Sequence, residues 1–229
     1  MNCILATPQW PDPGSGSISA RLRQHDWVLE ARTIDRAPGA EDIGPDGRFT
    51  ILVTLTPDGL RELRRRGKAH LVTTWEKHLC QAGVPVFPGA DWRLVESLPS
   101  PGRELMTDDT RPAWMPVVTD LAVERASASL SCRLWIPHDL RVFRGHFPSA
   151  PIVPGVLQLG WAVELGRAHR LSVGRLTGIV TAKFRRLLQP GMCLAAWVAQ
   201  GPGPGQLQFR YALRDTVVSL GRLQFGDGP

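Results

Sequence analysis

The chain has 229 residues, of which 43% are hydrophobic and 21% charged, and its formal net charge is +6. This composition is ordinary for a soluble globular protein, and the length suits one large domain or two small ones. No stretch approaches the roughly 20 apolar residues that span a bilayer. The N-terminus lacks the basic and apolar pattern of a secretory signal, so we expect a cytoplasmic protein.

The positive charge lies in one half of the chain. Residues 1–118 carry 14 Lys and Arg against 15 Asp and Glu, whereas residues 119–229 carry 13 against 6. A basic surface attracts acidic partners. Aromatic residues are not interleaved with the basic ones and no groove-reading motif is present, which argues against nucleic acid and favours an acidic carrier protein. The four cysteines are far apart and form no CxxC pair, so we expect no metal site and no disulfide framework.

The first half predicts a small α+β domain over residues 15–105, after an N-terminal tail of residues 1–14. Helical spacing of apolar residues predicts a helix, and other runs predict two further helical segments and two strands. An N-cap signal follows Pro57 at Asp58. In chain order the elements are a helix over Ser17–Leu29, a strand over Phe49–Leu55, helices over Asp58–Arg66 and Ala69–Leu79, and a strand over Asp91–Leu98.

A stretch rich in Pro and charge, residues 99–118, separates this domain from a second one. We assign residues 106–118 to a linker and residues 119–229 to the second domain. Its most distinctive segment, Gly155–Arg170, is apolar on nearly every face, which predicts a buried helix. Strands are predicted at Leu130–Ile136, Leu176–Leu188, Met192–Gln200, Gln206–Leu213 and Thr216–Phe225. The fold class is therefore α+β, with an antiparallel sheet wrapped around one long buried helix.

Residues 143–161 read FRGHFPSAPIVPGVLQLGW. This segment resembles the active-site segment of hot-dog-fold 3-hydroxyacyl-acyl-carrier-protein dehydratases, GHFPxxPxxPGVxxxE/D. The QLGW wording is most similar to dehydratases of aryl-polyene pigment pathways, and the resemblance extends over about residues 120–226. The matching positions are Gly145, His146, Phe147, Pro148, Pro151, Pro154, Gly155 and Val156.

The resemblance implies roles for these residues. Dehydration removes a proton next to a thioester carbonyl and expels the 3-hydroxyl group. His146 would be the base, because imidazole titrates near neutral pH. Gly155 would open the buried helix, where free backbone N–H groups polarise the thioester oxygen. Substrate contacts are expected from Phe147, Val156, Gly160 and Trp161.

One position departs from the family pattern. The acid that donates a proton should lie 14 residues after His146, where this chain has Gly160. Glu164 lies one helical turn further on the same face and is a candidate replacement, although it could instead pair with Arg167. Otherwise a water or the substrate hydroxyl would serve, or the domain would bind acyl chains without dehydrating them.

Basic residues flank the segment on both sides. They are candidate contacts for a carrier protein or for the phosphate of phosphopantetheine, and the alternative is a solvated basic face. These residues are Arg141, Arg144, Lys183, Arg185 and Arg186.

The first half is similar to the C-terminal lid domain of adenylate-forming acyl ligases, over about residues 15–105. Ser17–Ile34 is similar to the start of that domain. The position of the lid's lysine is occupied by Arg103, after Gly102. The large nucleotide-binding domain of those ligases is missing, so the chain cannot adenylate alone. The lid would complete a separate ligase, dock a carrier protein, or only pack.

The leading hypothesis is a 3-hydroxyacyl-[acyl-carrier-protein] dehydratase of fatty-acid or aryl-polyene-type synthesis that needs no cofactor. The hot-dog resemblance implies a homodimer with His146 facing a helix of the second copy. Two alternatives stay open. One is a non-catalytic module that binds or docks acyl carriers, and the other is a hot-dog thioesterase.

Overall fold

The computed structural model describes most of the chain. The described residues are 16–34, 50–84, 90–98, 114–171 and 174–226. Within them, no helix is both long and apolar enough to cross a membrane. The chain divides into two compact units. The first consists of Met1–Glu62 with Lys68–Glu104, and the second of Leu63–Gly67 with Leu105–Pro229.

A three-stranded sheet forms the centre of the first unit. Its strands lie in the order β1-β2-β3, the first pair antiparallel and the second parallel. The middle strand is buried at Ile51, Leu52 and Val53, and the rings of Trp75 and Trp92 stack at 5.6 Å between centroids. The elements are α1 (Gly16–Leu22), β1 (Val28–Ile34), β2 (Thr50–Leu55), α2 (Pro57–Gln81, without its residues Leu63–Gly67) and β3 (Asp91–Leu94).

The helix predicted over Ser17–Leu29 is wrong in its second half. The helix ends at Leu22, a tight turn follows in which the Val28 N–H donates to the His25 oxygen, and Val28 then begins β1. Pairing with β2 provides Val28 with both a hydrogen-bonded ladder and burial, which helical spacing alone does not reveal. The strand predicted over Asp91–Leu98 likewise ends early, at Leu94.

The helices predicted over Asp58–Arg66 and Ala69–Leu79 are confirmed as two segments within α2, separated at Gly67. That glycine has φ 78° and ψ 171°, which lies outside the helical region and suits a residue without a Cβ. The N-cap is Thr56, not Asp58. The Thr56 hydroxyl accepts a hydrogen bond from the Gly59 N–H at 3.1 Å, and Pro57 takes the first helical position.

The second unit has a six-stranded sheet in the order β4-β5-β7-β8-β9-β6, with antiparallel pairing between neighbours. Strand β4 was not predicted, and β6 ends at Phe184 rather than Leu188. Its elements are β4 (Val117–Glu124), β5 (Ser129–Trp135), a 3₁₀ helix (Arg141–Arg144), α3 (Gly155–Ala168), β6 (Arg175–Phe184), β7 (Cys193–Gln200), β8 (Gln206–Leu213) and β9 (Thr216–Gly226).

Helix α3 is the buried helix that the apolar segment predicts, and it packs against β7 and β8. It ends two residues earlier than expected, because Arg170 has the left-handed φ of 57° and the Leu171 N–H donates back to the Gly166 oxygen at 2.8 Å. This pattern of bonds closes a helix C-terminus.

Burial raises the pKa of Tyr211 well above its usual value and that of the Cys132 thiol to about 11, so both stay protonated in the core.

A buried glutamine joins α3 to the sheet. Gln158 is only 2% exposed, and its side-chain oxygen accepts a hydrogen bond from the Ser219 hydroxyl on β9. Its amide nitrogen donates to the Val153 oxygen at 3.3 Å, and its main-chain oxygen accepts from the Tyr211 hydroxyl at 3.0 Å. Polar groups buried in this way need every partner, because an unsatisfied one costs free energy.

We therefore expect Ser219→Ala to lower the free energy of unfolding by about 1–3 kcal/mol, since it leaves the Gln158 oxygen buried without a donor. Denaturant unfolding measures the change. Ser131→Ala, at an exposed position on β5, is the control and should change stability by less than about 0.5 kcal/mol. Equal effects of the two substitutions would contradict the role of this bond.

Candidate active site

The loop before α3 fixes the orientation of His146. The 3₁₀ helix anchors the loop through buried Phe143, and the His146 N–H donates to the Val142 oxygen at 3.0 Å. The imidazole Nδ1 lies 3.1 Å from the Ile152 oxygen. A carbonyl oxygen only accepts, so Nδ1 carries the hydrogen and a neutral His146 presents the lone pair of Nε2. This is the tautomer that a general base requires.

The next residue, Phe147, has a strained backbone. Its φ is 54°, a left-handed conformation that is unfavourable for a bulky side chain. The Ala150 N–H donates to the Phe147 oxygen at 2.8 Å and closes the turn. The Phe147 ring lies edge-on to His146 at 4.6 Å between centroids, yet 59% of this residue is exposed. Strain of this kind persists where the surrounding structure enforces it, and it is common at functional sites.

The N-terminus of α3 leaves backbone donors free. Pro154 is the N-cap residue and provides no side-chain hydrogen bond. The N–H groups of Leu157 and Gln158 both point to the Pro154 oxygen, at 3.1 and 3.3 Å. In the described part of the chain, no protein acceptor bonds the N–H of Gly155 or Val156. Two amides at the positive end of a helix can therefore donate to a developing oxyanion.

The absence of a side chain at Gly155 leaves space for the Phe184 ring at this end of the helix. A Cβ there would lie 2.7 Å from the nearest atom of the Phe184 ring. The ring therefore packs directly over the first turn of α3. Any side chain at position 155 would push Phe184 away or move the helix start.

Position 160 is open, whereas position 161 is not. Among the described residues, a Cβ on Gly160 would meet only the Trp114 ring, at 3.7 Å, which is ordinary contact. Trp161 is fully buried, and its indole N–H donates to the Trp114 oxygen at 2.9 Å. Trp161 thus packs in the core of the single chain, and the expectation that it contacts substrate stays a prediction.

Glu164 lies away from the first turn of α3. Four residues of helix place its Cα about 6 Å beyond that of Gly160 along the axis. One carboxylate oxygen is 3.9 Å from the Arg167 guanidinium, and both side chains are nearly half exposed. In the described residues, no hydrogen bond links Glu164 to the His146 loop. The arrangement matches the ion pair that the sequence left open as an alternative.

The basic candidates Arg141, Arg144, Lys183, Arg185 and Arg186 are all exposed. Gly102 and Arg103 lie outside the described residues. Gln158 and Ser219, which hold the site to the core, were missed by the sequence reasoning. A glutamine inside an otherwise apolar helical segment is the signal that could have identified the first of them.

Comparison with known proteins points to dehydratases for the second half. Residues 122–222 match the model of the ApeI-like family, described as ApeI dehydratase. Similar curated proteins are named 3-hydroxyacyl-[acyl-carrier-protein] dehydratase FabZ. One from Chloroflexus aggregans is 40% identical over 93 residues, 36% of this chain and 65% of that protein. One from Clostridium acetobutylicum is 38% identical over 58 residues, 22% of this chain and 41% of that protein.

The chain thus spans less than two thirds of the length of these curated relatives. Among solved structures, the chain is similar to one titled the dehydratase heterocomplex ApeI:P from Xenorhabdus doucetiae. That match has 28% identity, covers 48% of this chain and 96% of that one, and has a TM-score of 0.44.

The two glycines of α3 should respond differently to a methyl group. Gly160→Ala should raise the free energy of unfolding by about 0.5–1 kcal/mol, because alanine is the better residue in a helix interior. Gly155→Ala should give no such gain, since its Cβ must displace the Phe184 ring. Denaturant unfolding of both variants measures the difference. A loss of stability in Gly160→Ala would show that position 160 has no free space.

Proposed function

We propose that the second unit catalyses dehydration of 3-hydroxyacyl thioesters, carried by an acyl carrier protein, to trans-2-enoyl thioesters. One observation carries the proposal. The hydrogen bond from His146 Nδ1 to the Ile152 oxygen leaves Nε2 as a base, and the free N–H groups of Gly155 and Val156 follow in the same short segment. The match of residues 122–222 to the ApeI-like family supports the same reaction.

The proposed chemistry assigns each group one task. His146 Nε2 removes the proton on the carbon next to the thioester carbonyl. The electron pair moves onto the carbonyl oxygen, where the N–H groups of Gly155 and Val156 stabilise the negative charge. The pair then returns to form the double bond as the C3–O bond breaks. The hydroxyl group takes a proton and leaves as water.

The site has no side chain at the position where the family pattern places the donor of that last proton. Gly160 occupies the acidic position of the family pattern, and Glu164 is held near Arg167. Protonated His146, a water molecule or Glu164 after a change of rotamer could deliver the proton. A slow enzyme is the consequence if none of them is well placed.

A second candidate function follows from the same observation. Loss of the acid at position 160, with the base and the helix N-terminus retained, is what a module that binds acyl thioesters without dehydrating them would show. The open space beside Gly160 would then hold part of an acyl chain. The activity of the unmodified protein distinguishes the two readings.

We infer a homodimer that covers an apolar surface around the site. Val156 is 76% exposed, Leu187 66%, Phe147 59% and Ile179 55%. Ile179 lies on β6, the last strand of the sheet, whose outer edge pairs with no other strand of the described residues. Large apolar side chains beside an unpaired edge favour pairing with another strand, and a second copy of this chain would cover both.

The proposed setting is fatty-acid or aryl-polyene-type synthesis in the cytoplasm. The exposed residues Lys183 and Arg186 would contact an acidic carrier protein or the phosphate of its prosthetic arm. The first unit, by its sequence resemblance, would act with a separate acyl ligase. No cofactor is required by the steps above.

The test measures the absorbance of the enoyl thioester formed from a carrier-bound 3-hydroxyacyl substrate. His146→Ala should reduce kcat by about 10²–10⁴-fold, the usual contribution of a general base. His169→Ala, at the far end of α3, is the matched control and should leave the rate unchanged. Gly160→Asp should raise the rate, because it restores a donor where the structure has room.

Equal activity of His146→Ala and the unmodified protein would overturn the assignment of the base. An unmodified protein that binds substrate but forms no product, with Gly160→Asp active, would establish the binding module instead. Release of free thiol by the unmodified protein would indicate a thioesterase.

A further inference from the structure

A cavity lies on the face of the sheet opposite α3, because its residues Gln208 and Arg210 alternate along β8 with residues of the core that contains α3. Its volume is about 420 Å³, and three arginines line it: Arg185 after β6, Arg210 on β8 and Arg222 on β9. None of the residues placed in the dehydration steps lines this cavity. Its lining contains no Asp or Glu, and within the described residues none of the three arginines forms an ion pair.

Strand register places the arginines close together. Arg210 lies opposite Leu220, and Arg222 lies opposite Gln208, so the two arginines are diagonal neighbours across β8 and β9. Diagonal neighbours on one face of a sheet are within reach of long side chains. Like charges in this arrangement repel each other unless an anion lies between them. The sheet therefore holds these positive charges close together, with no ion-pair partner for them in the described part of the chain.

Arg222 is also incompletely satisfied. Its Nε is buried and has no hydrogen-bond partner within the described residues. A buried guanidinium N–H without an acceptor is costly and uncommon in a folded protein. An anionic ligand in the cavity would provide this missing acceptor. Guanidinium groups bind phosphate through paired N–H donors, which suits a ligand with several anionic oxygens.

The cavity is lined by apolar side chains as well as by arginines. The Arg210 guanidinium lies 5.7 Å from the centre of the Trp197 ring, which orients it through a cation–π contact. Trp197 and Leu220 provide an apolar wall, and Gln208 and Thr181 provide polar atoms. The volume lies in the range of small-molecule sites and is larger than a bare phosphate requires.

We propose that this cavity binds a phosphate ester, with Arg185, Arg210 and Arg222 holding the phosphate and the Trp197–Leu220 wall holding the organic part. The proposal does not depend on the dehydratase activity. The site lies on a different face of the protein unit from helix α3 and involves no chemical step. Binding of such a ligand would account for part of the excess positive charge of residues 119–229.

The experiment is calorimetric titration of the full chain at low salt with adenosine 3′,5′-bisphosphate, inorganic phosphate and adenosine. The bisphosphate should bind, and adenosine should not. Tighter binding of the bisphosphate than of inorganic phosphate identifies an ester as the source of the phosphate. Arg222→Gln and Arg210→Gln should each weaken binding of the bisphosphate about tenfold or more, the loss of a charge-assisted hydrogen bond.

Arg214→Gln is the control, because Arg214 is an exposed arginine of the β8–β9 turn outside the cavity. It should leave the affinity unchanged. Equal weakening in this variant would mean non-specific attraction and would overturn the site. Failure of both phosphate probes to bind, or binding of citrate as tight as that of the bisphosphate, would also overturn it.

A stability measurement separates loss of a ligand from loss of the fold. Arg222→Met removes the buried unpartnered N–H, so the ligand-free variant should have a Tm equal to or above that of the unmodified protein while binding of the bisphosphate is lost. A Tm several degrees lower would show that Arg222 supports the sheet and would contradict a ligand-binding role.

Discussion

The second unit depends on one buried side chain, Gln158. Its two side-chain polar atoms bond the loop before α3 and strand β9, and its main-chain oxygen bonds Tyr211 on β8. Because each of these groups is removed from water, a shift of the helix would leave several of them unsatisfied. The same bonds hold Val153, whose own N–H donates to the Leu188 oxygen at 2.8 Å. The position of the helix N-terminus is thereby fixed relative to the loop that carries His146.

Because of these bonds, the loop before α3 can hold His146, the proposed base, in a fixed orientation, although loops are usually less ordered than helices and strands. The Ile152 carbonyl selects one tautomer of His146, and the strained turn at Phe147 is maintained by anchors on both sides of it. In the proposed reaction, the groups for proton removal and for oxyanion stabilisation are therefore in place before a substrate binds. Donation of a proton to the leaving hydroxyl is not, because Gly160 has no side chain. For the proposed dehydration, the base and the oxyanion donors are thus in place, whereas no side chain at position 160 provides the proton donor.

Much of the fold and part of the candidate site were predictable from the sequence. Where a prediction succeeded or failed, the reason is physical. The segment Gly155–Arg170 is apolar on nearly every face, which predicts burial, and the strand predicted over Gln206–Leu213 has the same bounds as β8. Residues 23–29 were misassigned because helical spacing and a short strand that pairs over a distance look alike locally. The burial of Trp161 was not predicted, because the sequence gives no measure of accessible surface. The partners of Gln158 and the cluster around Arg222 depend on strand register, which no local pattern encodes.

Exchange of the proton next to the thioester carbonyl with deuterium from solvent tests the central claim most directly. A saturated acyl thioester has no 3-hydroxyl, so exchange reports on the base and the helix N-terminus without needing the missing acid. We predict that the unmodified protein incorporates deuterium at that carbon, detected by mass spectrometry, and that His146→Ala does not. Absence of exchange in an unmodified protein that binds the thioester would contradict the account, because the base and the oxyanion donors would then not act together.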